Sequence, residues 1–97
     1  MPYTIELAPK AARQFRKLPA HARKRLARHI DALAGNPRPS GAKKLAGAGH
    51  LYRIRVGDYR LVYTIRDDVL LVLVVAVGSR RDIYKALFRK RRGKRGA

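Results

Sequence analysis

Two alternating runs separated by two residues constrain this chain more than anything else in it. Leu51 to Val56 puts Tyr52, Ile54 and Val56 on one side and Arg53 and Arg55 on the other. Tyr59 to Arg66 alternates again, with Leu61, Tyr63 and Ile65 opposite Arg60, Val62 and Thr64. A period of two marks β-strand. Gly57-Asp58 between the runs reads as a two-residue hairpin loop, with Gly in the first position as a type II′ turn requires. That loop dictates the register: Val56 opposes Tyr59, Ile54 meets Leu61 and Tyr52 meets Tyr63 on an apolar face. On the other face Arg55 meets Arg60, and Arg53 meets Val62. A slip of one residue would exchange the two faces.

Directly opposed like charges on neighbouring strands destabilise a sheet by up to about 1 kcal/mol. A hairpin whose only task was to hold the fold would gain from Glu or Thr at position 55 or 60. For one arginine, a solvated sheet face is the simpler account. The opposed pair together with Arg53 favours an oxyanion, because guanidinium forks match phosphate bidentately. More arginine follows in Gly78-Ser79-Arg80-Arg81-Asp82-Ile83-Tyr84, where Arg80 and Tyr84 stand four apart, a spacing that shares one helical face. A tyrosine among arginines can stack on a base or donate its hydroxyl to phosphate. Core packing explains Tyr84 by itself equally well.

The rest of the chain supplies the partners of that hairpin. Tyr3 to Leu7 alternates and predicts a short strand. Pro9 is acceptable in a first helical turn, and Ala12, Phe15 and Leu18 recur as a helical stripe that Pro19 closes. Ala22, Leu26, Ile30 and Leu33 predict a second helix, with His21, Arg23, Lys24, Arg25, Arg28 and His29 on its other faces. The two make a helical hairpin. Residues 35–41 are a loop by composition, and Ala42 to His50 is expected to be irregular. Asp67-Asp68 predicts a second tight turn. Val69 to Val77 is apolar throughout and rich in β-branched residues, so it predicts a central strand buried on both faces, ended by Gly78-Ser79. A short helix is expected over Asp82 to Leu87. The fold class is α+β: strand, two-helix hairpin, three-stranded antiparallel meander packed on the helices, short C-terminal helix.

Charge narrows the function. The 97 residues hold 24 Lys and Arg against 6 Asp and Glu, a net charge of +18. Six of the cations lie in 89–97, a run without acid or apolar period that is expected to be a disordered basic arm, and residues 1–88 still carry +12 as a single domain. A polyanionic partner is the first expectation. The absence of cysteine excludes disulfide scaffolds, zinc fingers and thiol chemistry. The spacings of His21, His29 and His50 match no metal motif, so neither metal nor cofactor is expected. No apolar run approaches the length of a membrane span and no signal peptide is readable, which predicts a cytoplasmic protein.

The motif Tyr52-Arg-Ile-Arg-Val-Gly-Asp-Tyr-Arg-Leu-Val-Tyr63, then the apolar strand, then Val77-Gly-Ser-Arg-Arg-Asp-Ile-Tyr84, resembles the RelE-type toxins of the RelE/ParE toxin–antitoxin superfamily. The similarity runs from the Tyr3 strand to about Phe88. The resemblance implies a ribosome-dependent endoribonuclease that enters the A site of the 70S ribosome and cuts the mRNA codon there. The chemistry it implies is metal-independent attack of a ribose 2′-OH on its adjacent phosphate, leaving a 2′,3′-cyclic phosphate and a 5′-OH. By the same resemblance Arg60 holds the scissile phosphate, Arg80 stands near the leaving 5′ oxygen and Tyr84 positions the substrate. Arg53 and Arg55 flank the reacting centre where lysines are frequent, Arg55 counted with the catalytic set, and Arg81 belongs to the RNA-binding surface.

Arginine stays protonated near neutral pH and is a poorer general base than lysine. Many relatives have His or Lys where this chain has Ser79. Catalysis is therefore expected to lean on charge stabilisation and orientation, with slow or strictly ribosome-dependent cutting. A toxin of this type implies a neutralising RelB-type antitoxin, expected to be acidic. Two other readings remain: a ParE-like toxin directed at DNA gyrase, and a non-catalytic basic protein that binds nucleic acid or ribosomes.

Overall fold

The computed structural model describes residues 2–45 and 50–79. Its elements run β1 (Thr4–Leu7), α1 (Pro9–Arg16), α2 (Ala20–Ala32), β2 (Lys43–Lys44), β3 (Leu51–Val56), β4 (Tyr59–Arg66) and β5 (Leu71–Ser79). One five-stranded sheet has the order β1-β5-β4-β3-β2. The α+β class and the helical hairpin are as expected.

Pro9 opens α1, where its missing N–H costs nothing, and Arg13 and Arg16 lie in the last turn, where cations complement the helix dipole. The helix stops at Arg16, before the residue that precedes Pro19 is forced out of helical geometry. Pro19 does more than close α1: with φ −58° and ψ 152° it is the extended N-cap of α2. Arg23 donates from Nη1 to the Arg16 carbonyl at 3.2 Å, tying the end of α1 to the start of α2. Ala22, Leu26, Ile30 and Leu33 are all buried, as their spacing requires. Leu26, Ile30 and Leu33 pack with Ala11 against Ile54, Val56, Leu61, Tyr63, Val72, Val74 and Val77 of the sheet. Burying a residue such as Leu26 or Val72 contributes about 1.5–3 kcal/mol.

The β3–β4 hairpin has the expected register at every position: Val56 opposite Tyr59, Arg55 opposite Arg60, Ile54 opposite Leu61, Arg53 opposite Val62 and Tyr52 opposite Tyr63. Gly57 takes φ +61° and Asp58 stays at negative φ, which is the type II′ pattern.

Three expectations need correction. Lys43–Lys44, read as irregular, pairs antiparallel with Arg53 and Tyr52 and forms the far edge of the sheet. Two exposed lysines make a weak strand by propensity, and the pairing arises from the partner, not from local preference. The turn after β4 holds four residues, Asp67 to Leu70, instead of two. Leu70 takes φ 51°, a left-handed conformation costly for a non-glycine residue, and its carbonyl receives the Thr4 N–H at 2.8 Å. The last strand is therefore displaced to Leu71–Ser79, so Gly78-Ser79 lie within it and Val69 is exposed.

β5 is central, parallel to β1 and antiparallel to β4. Its unbroken apolar run conceals a β-bulge: Val62 pairs with Ala76 and Tyr63 with Val74, leaving Val75 between them. The extra residue lets Val74 and Val77 both face the helices. On the opposite face Val62 and Ala76 form a second cluster with Leu45, Leu51 and Val75. The helix expected over Asp82 to Leu87 and the arm 89–97 lie outside the described residues.

Candidate nucleic-acid interface

In a two-residue hairpin the pair beside the loop is hydrogen-bonded and the next is not. The Arg55–Arg60 pair thus belongs to the closer class, with Cα atoms about 4.5 Å apart. Gly78 flanks Arg60 on its other side, in register on β5, and adds no side chain there. A hollow of about 350 Å³ opens at this point, lined by Arg55, Gly57, Asp58 and Arg60.

The two arginines differ in exposure. Arg55 is exposed, whereas Arg60 is only 5% exposed, the one charged residue buried among those described. The arginine face is thus part open and part buried. Apolar Val62 and Ala76 share that face, and Arg60 is sunk beside them. Burying a guanidinium is costly and does not by itself promote stability. A charge placed there is held rigidly, which suits binding a fixed anion. Arg53 is half-buried on the same face and lies across from Lys43 of β2, in the segment expected to be irregular.

A second groove, about 200 Å³, adjoins the first through Gly57 and Asp58. From α2 it takes His21 and Arg25, and from the hairpin Tyr59. Arg25 lies so close over the turn that a Cβ on Gly57 would stand 3.0 Å from its Nη1. His21 and Arg25 were legible only as a solvated helix face. Their exposed spacing of four was the signal, but nothing local tells which loop α2 leans on.

A third hollow, about 650 Å³, lies toward the other end of the hairpin and includes Arg38, Lys44, His50, Tyr52, Arg66, Asp67 and Asp68. Its arginines are engaged. Arg38 gives a bidentate pair to Asp67 at 2.8 and 3.2 Å, and Arg66 pairs with Asp68 at 2.9 Å. The Arg38 guanidinium and two hydrogen bonds, its own and that of the Tyr3 hydroxyl, hold the Asp67 carboxyl down at about 2. Neighbouring Tyr52 stacks on Tyr63 at 5.9 Å, and burial pushes the Tyr63 hydroxyl up to about 12 while it donates to the Pro37 carbonyl. This end is a structural clamp. Neither ion pair among the described residues involves Arg53 or Arg55.

The structure brings Arg53, Arg55 and Arg60 to one face as expected. Arg80, Arg81 and Tyr84 lie outside the described residues. Among the described residues no group of three or more His, Asp or Glu side chains is placed to hold a metal ion, and no helix is long and apolar enough to cross a membrane.

The family model described as ParE toxin of the type II toxin–antitoxin system parDE matches residues 5–84. The chain belongs to the RelE/ParE family of type II toxins. Within that family it is similar to the mRNA interferase toxin RelE of Escherichia coli, 33% identical over 88 residues that cover 87% of this chain and 92% of the relative. It is also similar to toxin RelG of Mycobacterium tuberculosis, 34% identical over 92 residues, covering 88% and 99%. Among solved structures, the RelBE2 toxin–antitoxin complex of M. tuberculosis superposes with a TM-score of 0.74 at 28% identity, covering 82% of this chain and all of that one. The isolated E. coli RelE toxin gives 0.71 at 28% identity, covering 91% and 97%. These relatives place this family member on the RelE side of the superfamily.

Proposed function

We propose that this RelE-type toxin is an mRNA interferase that cuts the codon held in the ribosomal A site and so stops translation in the cytoplasm. The observation that carries the reading is the Arg55–Arg60 pair, one arginine buried and one exposed, around a hollow beside the hairpin turn. A scissile phosphate gains a second negative charge's worth of density as the 2′-oxygen attacks. Donors fixed in advance stabilise that charge without reorganising. Arg60, immobilised by burial, holds the phosphate. Arg55 closes on it from the opposite strand, and Arg53 with Lys43 extends the positive face along the RNA.

Arg80 serves the leaving 5′ oxygen, Tyr84 stacks or hydrogen-bonds the substrate at the cut, and Arg81 contacts the RNA backbone. The reaction needs no metal: the 2′-OH displaces the 5′ oxygen, leaving a 2′,3′-cyclic phosphate and a 5′-OH. Residues 1–88 act as one toxin domain and 89–97 as a basic arm that adds non-specific attraction to RNA. The neutralising partner is an acidic RelB-type antitoxin, a choice supported by the +18 charge and by the RelB-bound state of the related toxins.

Purified protein, translating ribosomes and a defined mRNA test the proposal. Cuts should map within the A-site codon, vanish in Arg80→Ala and fall at least 100-fold in Arg60→Ala. Cutting indifferent to both changes would dismiss the site. The matching family model is described by the ParE toxin, which gives a second reading: inhibition of DNA gyrase with intact mRNA.

A further inference from the structure

The reaction proposed above requires a group that takes the proton of the 2′-OH, and arginine cannot do so near neutral pH. Among the described residues, the hollow at the Arg55–Arg60 pair is lined by Arg55, Gly57, Asp58 and Arg60. Only Asp58 among them carries a side-chain oxygen with lone pairs to offer. We infer that the Asp58 carboxylate is the general base of this toxin, a role that rests on the nuclease reading.

Three observations converge on it. Asp58 is exposed and therefore accessible to a bound ribose. Asp67 and Asp68 are engaged by Arg38 and Arg66, whereas Asp58 enters neither ion pair, although the chain carries four times as many Lys and Arg as Asp and Glu. Finally, Gly57 at φ +61° and the Arg25 guanidinium over it restrain the turn that presents the carboxylate. The groups that face Asp58 are Arg55 from β3, Arg60 and Tyr59 from β4, and His21 and Arg25 from α2. Of these His21 could also accept a proton, but it lines the neighbouring groove and not the hollow of the arginine pair.

The step balances simply. The 2′-OH proton passes to an Asp58 oxygen while the 2′-oxygen forms its bond to phosphorus. The bond from phosphorus to the 5′ oxygen breaks, and the departing oxygen takes a proton from water. Asp58 then returns its proton to solvent.

The experiment is single-turnover cleavage of a defined mRNA on programmed ribosomes by the full chain, at saturating toxin, between pH 5.5 and 8.5. Asn is as acceptable as Asp in the second position of this turn. Asp58→Asn should therefore bind ribosomes normally and cut at least 100-fold more slowly, the ordinary worth of a general base. Asp58→His should recover part of the rate with a limb near pH 6.5, where an imidazole titrates, and Asp58→Asn should show no such limb. Wild-type cutting by Asp58→Asn, with Arg60→Ala still impaired, would overturn the base assignment alone. Equal slowness in the Asn and His variants without a pH limb would make the role one of turn geometry and would also overturn it. Ribosome binding without cutting by the wild type, or cutting indifferent to Arg60→Ala, would remove the nuclease reading and this inference together.

Discussion

Gln14 of α1 accepts the backbone N–H of Val77 on its side-chain oxygen at 2.9 Å. The bond compensates for a strand that ends early. β1 stops opposite Val74, where Ala8 N–H donates to the Val74 carbonyl, and β5 runs on to Ser79. α1 lies beside that uncovered edge and supplies the missing acceptor from a side chain.

Gln14→Ala should thus leave an N–H in a buried segment without its acceptor and cost about 1–3 kcal/mol. Gln14→Glu keeps an oxygen in place and should cost less. Urea denaturation of the two variants side by side measures the difference, and equal costs would count against this role.

At the hairpin turn, Gly57→Ala should destabilise by about 1–3 kcal/mol. The added Cβ meets Arg25 at 3.0 Å, and φ +61° is a conformation alanine resists. Truncating Arg25 in the same chain should remove the steric part and leave the backbone part. Thermal unfolding of the double-mutant cycle separates them.

Arg60 should separate stability from activity. Arg60→Met replaces a buried guanidinium facing Arg55 with an apolar side chain of similar length. Melting temperature is expected to fall by far less than activity, because the unbranched Met side chain fills the space of the guanidinium stem. Cleavage on ribosomes is expected to fall by at least 100-fold. A large drop in both would assign Arg60 to the scaffold.

Asp67 should govern acid stability. Hydrogen bonds from Arg38 and then Tyr3 lower its carboxyl from 3.8 to about 2 in the folded chain. A depressed folded value means the stabilisation is complete above about pH 4 and is lost as pH falls through 2. Asp67→Asn should flatten that part of the stability curve, as read by urea unfolding between pH 4.5 and 2. Both partners are about half exposed, so 1 M salt should shrink the wild-type effect.

The hairpin is fully legible in the sequence. Alternation over Leu51–Val56 and Tyr59–Arg66, with Gly57-Asp58 between, determined the register, the apolar face and the opposed arginines. The reason is physical: side-chain period and turn chemistry are local properties of a strand pair. The spacing of Ala22, Leu26, Ile30 and Leu33 determined the buried stripe of α2 in the same way.

Tertiary structure decided the rest. No local preference makes Lys43–Lys44 a strand; the open edge of β3 does. No pattern in an unbroken run from Val69 to Val77 reveals the bulge at Val75 or the left-handed Leu70, because an apolar run has no phase to break. The burial of Arg60 beside Val62 and Ala76, the reach of Gln14 to Val77, and the seating of Arg25 on the Gly57 turn all join residues distant in sequence. Local sequence determines which way a side chain points, but what it meets there depends on which elements pack against it.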